Sequence, residues 1–319
     1  MIPSLDLNHF IHGDATTKAE FVKQLGEAYE DIGFAAIKNH LLDDELVQKL
    51  YEQTKEFFDL PLEVKNKYSD PALAGQRGYI GWGKEHAKGS SVGDLKEFWH
   101  FGQYVPDEEK SKFGYPDNLT VDEQPTFNVV GEQAYKALEE TGKYMLRAMA
   151  LYLDLDEFYF DDKIEYGNSI LRPIHYPPIT SEPPTGAVRA GQHEDINLIT
   201  LLMGASADGL QVLRKDGNWI SITALPEHLV VNVGDMLQRL TNDKFKSTTH
   251  RVVNPPREKW SEARYSIPFF LHPKSEVRLD CLDSCIDAKH PIKYDDMTAG
   301  EYLHERLIEI GLMNKNKSK

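Results

Sequence analysis

The chain has 319 residues, with 36 Lys and Arg against 51 Asp and Glu, which gives a formal net charge of −15. Its 40% hydrophobic and 10% aromatic content excludes a disordered chain and is enough for a substantial core. Nucleic acid is not expected as a partner, because a surface this acidic repels phosphates. A membrane is not expected either, since no apolar stretch approaches the roughly 20 residues that span a bilayer.

The N-terminal residues and the cysteines predict the compartment. The segment from Met1 to Asp6 lacks the basic start and apolar core of a secretion signal. Cys281 and Cys285 do not have Cys-x-x-Cys spacing, and the chain has no second cysteine pair to complete a zinc site. We therefore expect reduced thiols in a cytoplasmic protein.

The first 60 residues predict the order strand, helix, strand, helix. Thr17 and Glu20 have the spacing of a capping box at the start of the first helix, and Gly33 ends that helix. Residues 34–37 form the next strand, and the second helix stops before Pro61. Both helices carry apolar residues on one face, which is typical of packing on a core.

The middle of the chain predicts a loop and then a long helix. From Ala74 to Ser91 the composition turns to Gly, Lys and Ser, which favours an exposed loop. From about Pro125 to Leu153 apolar residues recur at helical spacing.

After about Ser169 the pattern changes to short strands separated by turn residues, which is typical of an antiparallel sandwich or barrel. A final helix begins at Thr298, where Glu301 gives capping-box spacing, and ends at Gly311. We predict one domain over residues 1–319, with a mainly helical part (1–168), a β-rich core (169–275) and a C-terminal segment with a helix (276–319). The candidate strands of the core are 199–203, 210–213, 219–222, 229–233 and 265–271.

The strongest chemical signal is the run Gln192-His193-Glu194-Asp195, followed 57 positions after His193 by His250. On an extended chain residues i and i+2 share a face, so His193 and Asp195 converge while Glu194 points away. Two imidazoles and one carboxylate leave three positions of an octahedral ion open, as in non-haem Fe(II) oxygenases. Zinc hydrolases also use two histidines and a carboxylate, so a zinc hydrolase stays an alternative, as does a non-catalytic binding protein.

A second signal is Arg264-Tyr265-Ser266, which begins fourteen residues after His250 at the head of a predicted strand. Arg264 and Ser266 share a face of that strand, so a guanidinium fork and a hydroxyl can bind one carboxylate. A 2-oxo acid that chelates iron through its 2-oxo and C1 carboxylate groups would present its far carboxylate to this pair.

With these motifs the sequence resembles the isopenicillin N synthase-like group of Fe(II)/2-oxoglutarate-dependent oxygenases, and the resemblance covers nearly the whole chain. It implies a mixed α/β fold, a distorted double-stranded β-helix or jelly roll with flanking N-terminal, central and C-terminal helices. The further segments that carry it are Ile2-Pro3, Gly33-Phe34, Asn39-His40, Phe57-Phe58-Asp59-Leu60-Pro61, Gly78-Tyr79, Asp94-Leu95-Lys96-Glu97, Gly209-Leu210-Gln211-Val212, Asn232-Val233-Gly234-Asp235 and Ser247-Thr248-Thr249-His250-Arg251-Val252.

The resemblance also implies the ligands. His193, Asp195 and His250 would bind Fe(II), and Arg264 with Ser266 would hold the 2-oxoglutarate carboxylate. Tyr176 would help to position this cosubstrate; just before it, Ile174 and His175 replace the Asn and Tyr of many members.

The implied reaction oxidises a small molecule with O2 and releases succinate and CO2. Hydroxylation is the expected outcome, with desaturation or ring closure as variants. A subset of the family uses O2 without 2-oxoglutarate, so a 2-oxoglutarate-independent oxidase or cyclase is the alternative within the same fold.

We expect the substrate pocket to be lined by residues near the glycine-rich loop and the metal motif, because loops beside a rigid core often determine specificity. Their cationic side chains would suit a small carboxylate such as an amino acid. The candidates are Arg77, Tyr79, Arg189, Gln192 and Arg239.

Overall fold

The computed structural model describes residues 2–73, 75–84, 94–110, 114–183, 187–204, 209–222 and 227–309. Within these ranges, no helix combines the length and apolarity that a bilayer crossing requires. The predicted glycine-rich loop lies partly outside the described residues, and so does the predicted end of the last helix at Gly311.

Short strands alternate with helices along the first third of the chain and dominate after residue 169. The helices are α1 (Leu7–Ile11), α2 (Ala15–Asp31), α3 (Asp44–Phe58), α4 (Leu62–Lys65), α5 (Pro125–Tyr152), α6 (Asp161–Ile164), α7 (Asp235–Leu240) and α8 (Ala299–Glu309). The strands are β1 (Ser4–Asp6), β2 (Phe34–Lys38), β3 (Gly78–Ile80), β4 (Glu97–Gly102), β5 (Ile170–Leu171), β6 (Ile174–Tyr176), β7 (Ala190–His193), β8 (Ile199–Met203), β9 (Leu210–Leu213), β10 (Trp219–Ser221), β11 (His228–Val233), β12 (His250–Val252), β13 (Arg264–Ser266) and β14 (Pro268–Leu271).

Two sheets form the core. The larger has the strand order β1-β2-β11-β8-β14-β5-β4-β6-β13, with β3 paired to β4, and the smaller has the order β10-β9-β12-β7. Apart from the parallel pair β1 and β2, the paired strands of the described chain are antiparallel. This is the mixed α/β jelly roll with flanking helices that the resemblance implies.

The strands after residue 169 match the prediction closely, because their alternating or continuous apolar residues are buried. β8 and β9 have the predicted bounds. The predicted strand 265–271 is divided at Ile267, because β13 pairs with β6 whereas β14 pairs with β5 and β8. One continuous segment therefore crosses two parts of the main sheet.

The first 168 residues contribute strands as well as helices to the core. β2 pairs with β11, and β4 pairs with both β5 and β6. The expectation of an exposed loop is wrong at β3, where all three residues are buried. Gly78 has φ +75, and a Cβ there would lie 2.4 Å from the Tyr68 carbonyl oxygen, so this glycine serves a close backbone approach rather than a loop.

The helix limits follow from local caps and core packing. α5 ends within one residue of its predicted end and packs on β4, β5, β8 and β14. The capping box at Thr298 and Glu301 is confirmed, since each residue's side chain accepts the other's backbone N–H. The capping box at Thr17 is wrong, because Asp14 begins α2 by accepting the N–H of Thr17 at 2.8 Å.

Candidate metal centre and active site

The two strands that carry His193 and His250 lie side by side in the smaller sheet. β7 pairs with β12 so that His193 stands directly opposite His250. The imidazole Nε2 atoms of His193 and His250 lie 3.7 Å and 3.6 Å from Asp195 Oδ1. Donor atoms of these three residues all lie within 4.8 Å of one another, so one metal ion can bind to all three.

Hydrogen bonds around the triad turn each donor atom inward. Asp195 Oδ2 accepts from Thr200 Oγ1 at 2.6 Å and from Asn232 Nδ2 at 2.8 Å, which leaves Oδ1 facing the imidazoles. The Nδ1 of His193 lies 2.7 Å from the Gly191 carbonyl oxygen, and that of His250 lies 3.1 Å from the Thr248 carbonyl oxygen. These bonds place the proton on Nδ1 and leave Nε2 as the atom that could bind a metal.

Glu194 points away from the triad; it and Asp195 follow directly after β7, which ends at His193. Its Oε1 accepts from Thr249 Oγ1 at 2.8 Å. Its carboxylate also faces Asp235, whose pKa rises to about 7 chiefly because of burial, with Glu194 adding to the rise. Asp195 is therefore the carboxylate that completes the donor set.

The electrostatics favour a divalent cation at this position. Burial alone would raise the pKa of Asp195. The imidazoles of His250 and His193 and the hydrogen bonds from Asn232 and Thr200 lower this pKa by more, so the net shift is downward. Burial, and then the neighbouring His250, lower the pKa of His193. At neutral pH the site presents an anionic carboxylate and a neutral His193 imidazole, which fits the borderline ligand preference of Fe(II).

Tyr176, Arg264 and Ser266 form a second buried group. β13 pairs with β6 so that Arg264 stands opposite Tyr176, and the Arg264 guanidinium carbon lies 5.0 Å from the Tyr176 ring centroid. Ser266 is two residues further on the same strand and is also buried. The structure thus brings the three predicted cosubstrate residues together.

Comparison with known proteins decides the family. The family model for the 2OG-Fe(II) oxygenase superfamily matches residues 167–273, and that for the N-terminal region of the non-haem dioxygenase in morphine synthesis matches residues 2–123. A 2-oxoglutarate-Fe(II) type oxidoreductase of Emericella nidulans is 33% identical, over 94% of this chain and 89% of that protein. The chain belongs to the 2-oxoglutarate/Fe(II) oxygenase superfamily.

Two further relatives agree with this assignment. The oxygenase is 33% identical to a proline hydroxylase of Petromyces alliaceus, over 97% of this chain and 99% of that protein. The crystal structure of a full-length Neurospora crassa protein in complex with alpha-KG has a TM-score of 0.84 and 32% identity, over 96% of each chain.

The oxygenase uses Fe(II) and 2-oxoglutarate to oxidise a small molecule with O2. When bound, Fe(II) would activate O2, and 2-oxoglutarate would be converted to succinate and CO2 while a C–H bond of the substrate is oxidised. Hydroxylase relatives support hydroxylation. The 2-oxoglutarate-independent oxidase, the zinc hydrolase and the non-catalytic binding protein are not favoured.

A cavity of about 480 Å³ opens in front of the triad, lined by His193 and Asp195 among others. Its volume is in the range of small-molecule sites. Helix α8 covers one side through Leu303, Arg306 and Leu307. Of the five predicted substrate residues, Gln192 lines this cavity.

The other four predicted substrate residues do not line the cavity. Each makes contacts in another part of the structure. Arg77 is buried and donates to Gln103 and to a backbone carbonyl. Tyr79 donates to the buried Glu97. Arg239 binds the Asp295 carbonyl in the C-terminal segment.

Arg189 lies beside the cosubstrate group instead. It is buried, donates to the Glu262 carbonyl at 3.0 Å, and has its guanidinium carbon 5.9 Å from the Tyr176 ring centroid. Burial, and then the charge of Arg264, lower the pKa of Arg189 to about 10. Arg189 therefore adds positive potential where Arg264 and Tyr176 meet.

Several residues of the cavity wall are not among the predicted substrate residues, namely Lys96, Asn168, Arg172, Phe270 and His272. The last four lie on or beside β5 and β14, so their signal is the alternation of residues two apart on a strand. This alternation identifies cavity residues only once it is known which face of each strand lines the cavity.

Replacing Asn232 with leucine should weaken Fe(II) binding by roughly 10- to 100-fold, because Asp195 loses one of the two hydrogen bonds that orient it. Anaerobic Fe(II) titration of the purified variant measures this effect. Asn218→Ala, a change at an exposed turn, should leave the affinity unchanged. A folded Asn232→Leu protein with unaltered affinity would show that this bond does not position the ligand.

Proposed function

We propose that this oxygenase hydroxylates a small carboxylate, such as an amino acid, in the cavity in front of the triad. His193, Asp195 and His250 bind the iron in this proposal, and Tyr176 with Arg264 and Ser266 binds 2-oxoglutarate. The single observation that supports the iron site most strongly is the convergence of three inward-facing donor atoms within 4.8 Å.

The buried Arg264 group supports the cosubstrate assignment. Arg264 is 1% exposed, and a buried guanidinium attracts a carboxylate more strongly than an exposed one, because the local dielectric constant is low. A dicarboxylate such as 2-oxoglutarate supplies that anion, and Ser266 on the same face supplies a further donor.

Arg172 supports a carboxylate substrate. Its guanidinium carbon lies 4.5 Å and 5.0 Å from the ring centroids of Phe98 and Phe270, so the group packs against both rings. Arg172 and Phe270 line the cavity. The Arg172 Nε lies 2.5 Å from His100 Nε2, and His100 Nδ1 lies 2.7 Å from the Gly75 carbonyl oxygen. This chain of contacts fixes the guanidinium plane, and a fixed guanidinium favours carboxylate binding.

The relatives support a substrate of this size. One is named a proline hydroxylase, and the structure of the Neurospora crassa protein has also been determined with alpha-KG and thymine. Both proline and thymine are small enough for a cavity of about 480 Å³.

We further propose that residues 1–319 act as one oxygenase domain in the cytoplasm. The strands β1 to β4 of the first 168 residues belong to the same sheet as the strands of the core, which supports a single folding unit. The two cysteines are free thiols, which is consistent with a reducing compartment.

The substrate proposal is tested by a screen of amino acids and other small carboxylates for stimulated succinate formation. We expect at least one to be a substrate, and Arg172→Leu to raise its KM by about 30-fold or more, because a carboxylate enclosed in the cavity would lose its cationic partner, a loss that costs about 2–5 kcal/mol. Arg239→Leu is the matched control, because Arg239 lies outside the cavity lining. A KM unchanged by Arg172→Leu would contradict the proposal.

A further inference from the structure

One wall of the cavity is built from alternate residues of two neighbouring strand segments. Asn168, Ile170 and Arg172 line the cavity along the β5 segment, and Phe270 and His272 line it along the β14 segment. Ile170 stands opposite Phe270 in the β5–β14 pair. The wall therefore has a cationic end at Arg172, an apolar middle, and an uncharged polar end at Asn168 and His272.

The polar end is joined by the backbone. Asn168 N–H donates to the Pro273 carbonyl, and His272 N–H donates to Ser169 Oγ at 3.0 Å. These bonds use backbone groups of both residues and leave their side chains for the cavity. Because Arg172 is four residues from Asn168, the two ends lie no more than about 14 Å apart along the chain.

One buried polar atom in each of the Asn168 and His272 side chains is unpaired within the described part of the chain. Each residue is 7% exposed, and among the described residues Asn168 Oδ1 and His272 Nδ1 have no hydrogen-bond partner. Buried polar atoms are nearly always paired in native structures. Asn168 and His272 both line the substrate cavity, where a bound molecule can supply the missing partners.

The chemistry of the pair restricts that partner. Burial lowers the pKa of His272 to about 4, although the Asp195 charge opposes this shift, so the imidazole is neutral and has one donor and one acceptor nitrogen. The Asn168 amide also has both a donor and an acceptor. An ammonium group would satisfy only the acceptors and a carboxylate only the donors, whereas an amide satisfies both kinds.

We propose that Asn168 and His272 bind a neutral amide or lactam group of the substrate. This inference rests on the proposed function and extends it: the substrate is a carboxylate that also carries an amide, with an apolar segment lying over Ile170 and Phe270. Asn168 and His272 are then specificity-determining residues, and Arg172 binds the opposite end of the molecule.

Binding of three matched probes tests this assignment. We would titrate 6-acetamidohexanoate, 6-aminohexanoate and octanoate into the anaerobic Fe(II)- and 2-oxoglutarate-loaded protein by calorimetry. The acetamido probe should bind at least 10-fold more tightly than the other two. Equal binding of the three, or tighter binding of the amino probe, would overturn the inference.

Variants assign the preference to the two residues. Asn168→Leu and His272→Phe should each remove most of the acetamido advantage while changing octanoate binding less than twofold. Asn168→Asp keeps the shape of the side chain but adds a negative charge. It should weaken the binding of the acetamido probe and strengthen the binding of the amino probe. Thr54→Val is the matched control, because Thr54 Oγ1 is also buried and has no partner among the residues that the structure describes, but Thr54 lies outside the cavity lining. An acetamido advantage that survives in folded Asn168→Leu and His272→Phe proteins would overturn the inference.

A pair of probes without the carboxylate separates this inference from the carboxylate proposal. In one outcome, Arg172→Leu leaves octanoate binding unchanged, while Asn168→Leu weakens the binding of N-hexylacetamide more than the binding of hexylamine. The carboxylate assignment then fails and the amide assignment holds. If Arg172→Leu weakens octanoate and 6-acetamidohexanoate equally but N-hexylacetamide and hexylamine bind alike, the amide assignment fails alone.

Discussion

Replacing Asp195 with alanine is expected to abolish Fe(II) binding and succinate formation. The variant removes a carboxylate whose oxygen faces both imidazole Nε2 atoms, at 3.7 Å and 3.6 Å. It also leaves Thr200 and Asn232 without the acceptor that they now share. Anaerobic iron titration and a succinate assay measure the two losses.

Glu194→Ala is the matched control for this prediction, because it removes a neighbouring carboxylate of the same charge. Glu194 bonds to Thr249 rather than to the triad, so the variant should retain iron and most of the activity. Loss of iron in Glu194→Ala with retention in Asp195→Ala would reverse the ligand assignment.

Replacing Arg264 with alanine is expected to raise the Kd for 2-oxoglutarate by about 30-fold or more. The reason is that Arg264 is almost completely buried, and truncating one partner of a buried charged pair costs about 2–5 kcal/mol. Anaerobic titration of 2-oxoglutarate into the Fe(II) protein measures the change, and the affinity for Fe(II) alone should stay the same.

Arg278→Ala provides the control, since Arg278 has a side chain that is 55% exposed and lies outside the Tyr176, Arg264 and Ser266 group. It should bind 2-oxoglutarate like the parent protein. If the Arg264→Ala protein binds 2-oxoglutarate with unaltered affinity, the cosubstrate binds at another site.

Asp195 was predictable as the partner of His193 because residues i and i+2 of an extended chain share a face, whereas His250 was placed by the resemblance. The strand bounds of β8 and β9 and the extent of α5 were predictable for a similar reason, since each is a long or strongly periodic apolar pattern. The resemblance brought together distant residues that periodicity cannot relate, such as His193 and His250 as ligands of one iron, and the structure shows them on paired strands.

The substrate residues were harder to predict, because an arginine or a tyrosine can either line a cavity or pack in the protein interior. The glycines around Arg77 and Tyr79 look like those of an exposed loop, yet Gly102 allows the Arg77 guanidinium to pack against its backbone, where a Cβ would lie 1.9 Å from Cζ. Nothing local to the sequence distinguishes a glycine that permits such packing from one that opens a turn.

The residues of the cavity wall depend on tertiary pairing. Asn168 and His272 are about a hundred positions apart and become neighbours through the contact of the β5 and β14 segments. The bonds from Thr200 and Asn232 to Asp195 likewise join β8 and β11 to the metal motif. Such contacts follow from the strand order, which the sequence pattern alone does not specify.

The most direct test of the assigned iron and cosubstrate residues is the absorption of the anaerobic protein when 2-oxoglutarate is added to its Fe(II) form. We predict a metal-to-ligand charge-transfer band in the parent protein, no such band in Asp195→Ala, and a band in Arg264→Ala that requires about 30-fold or more 2-oxoglutarate. Absence of the band in the parent protein, or a parent-like band in Asp195→Ala, would contradict the assignment.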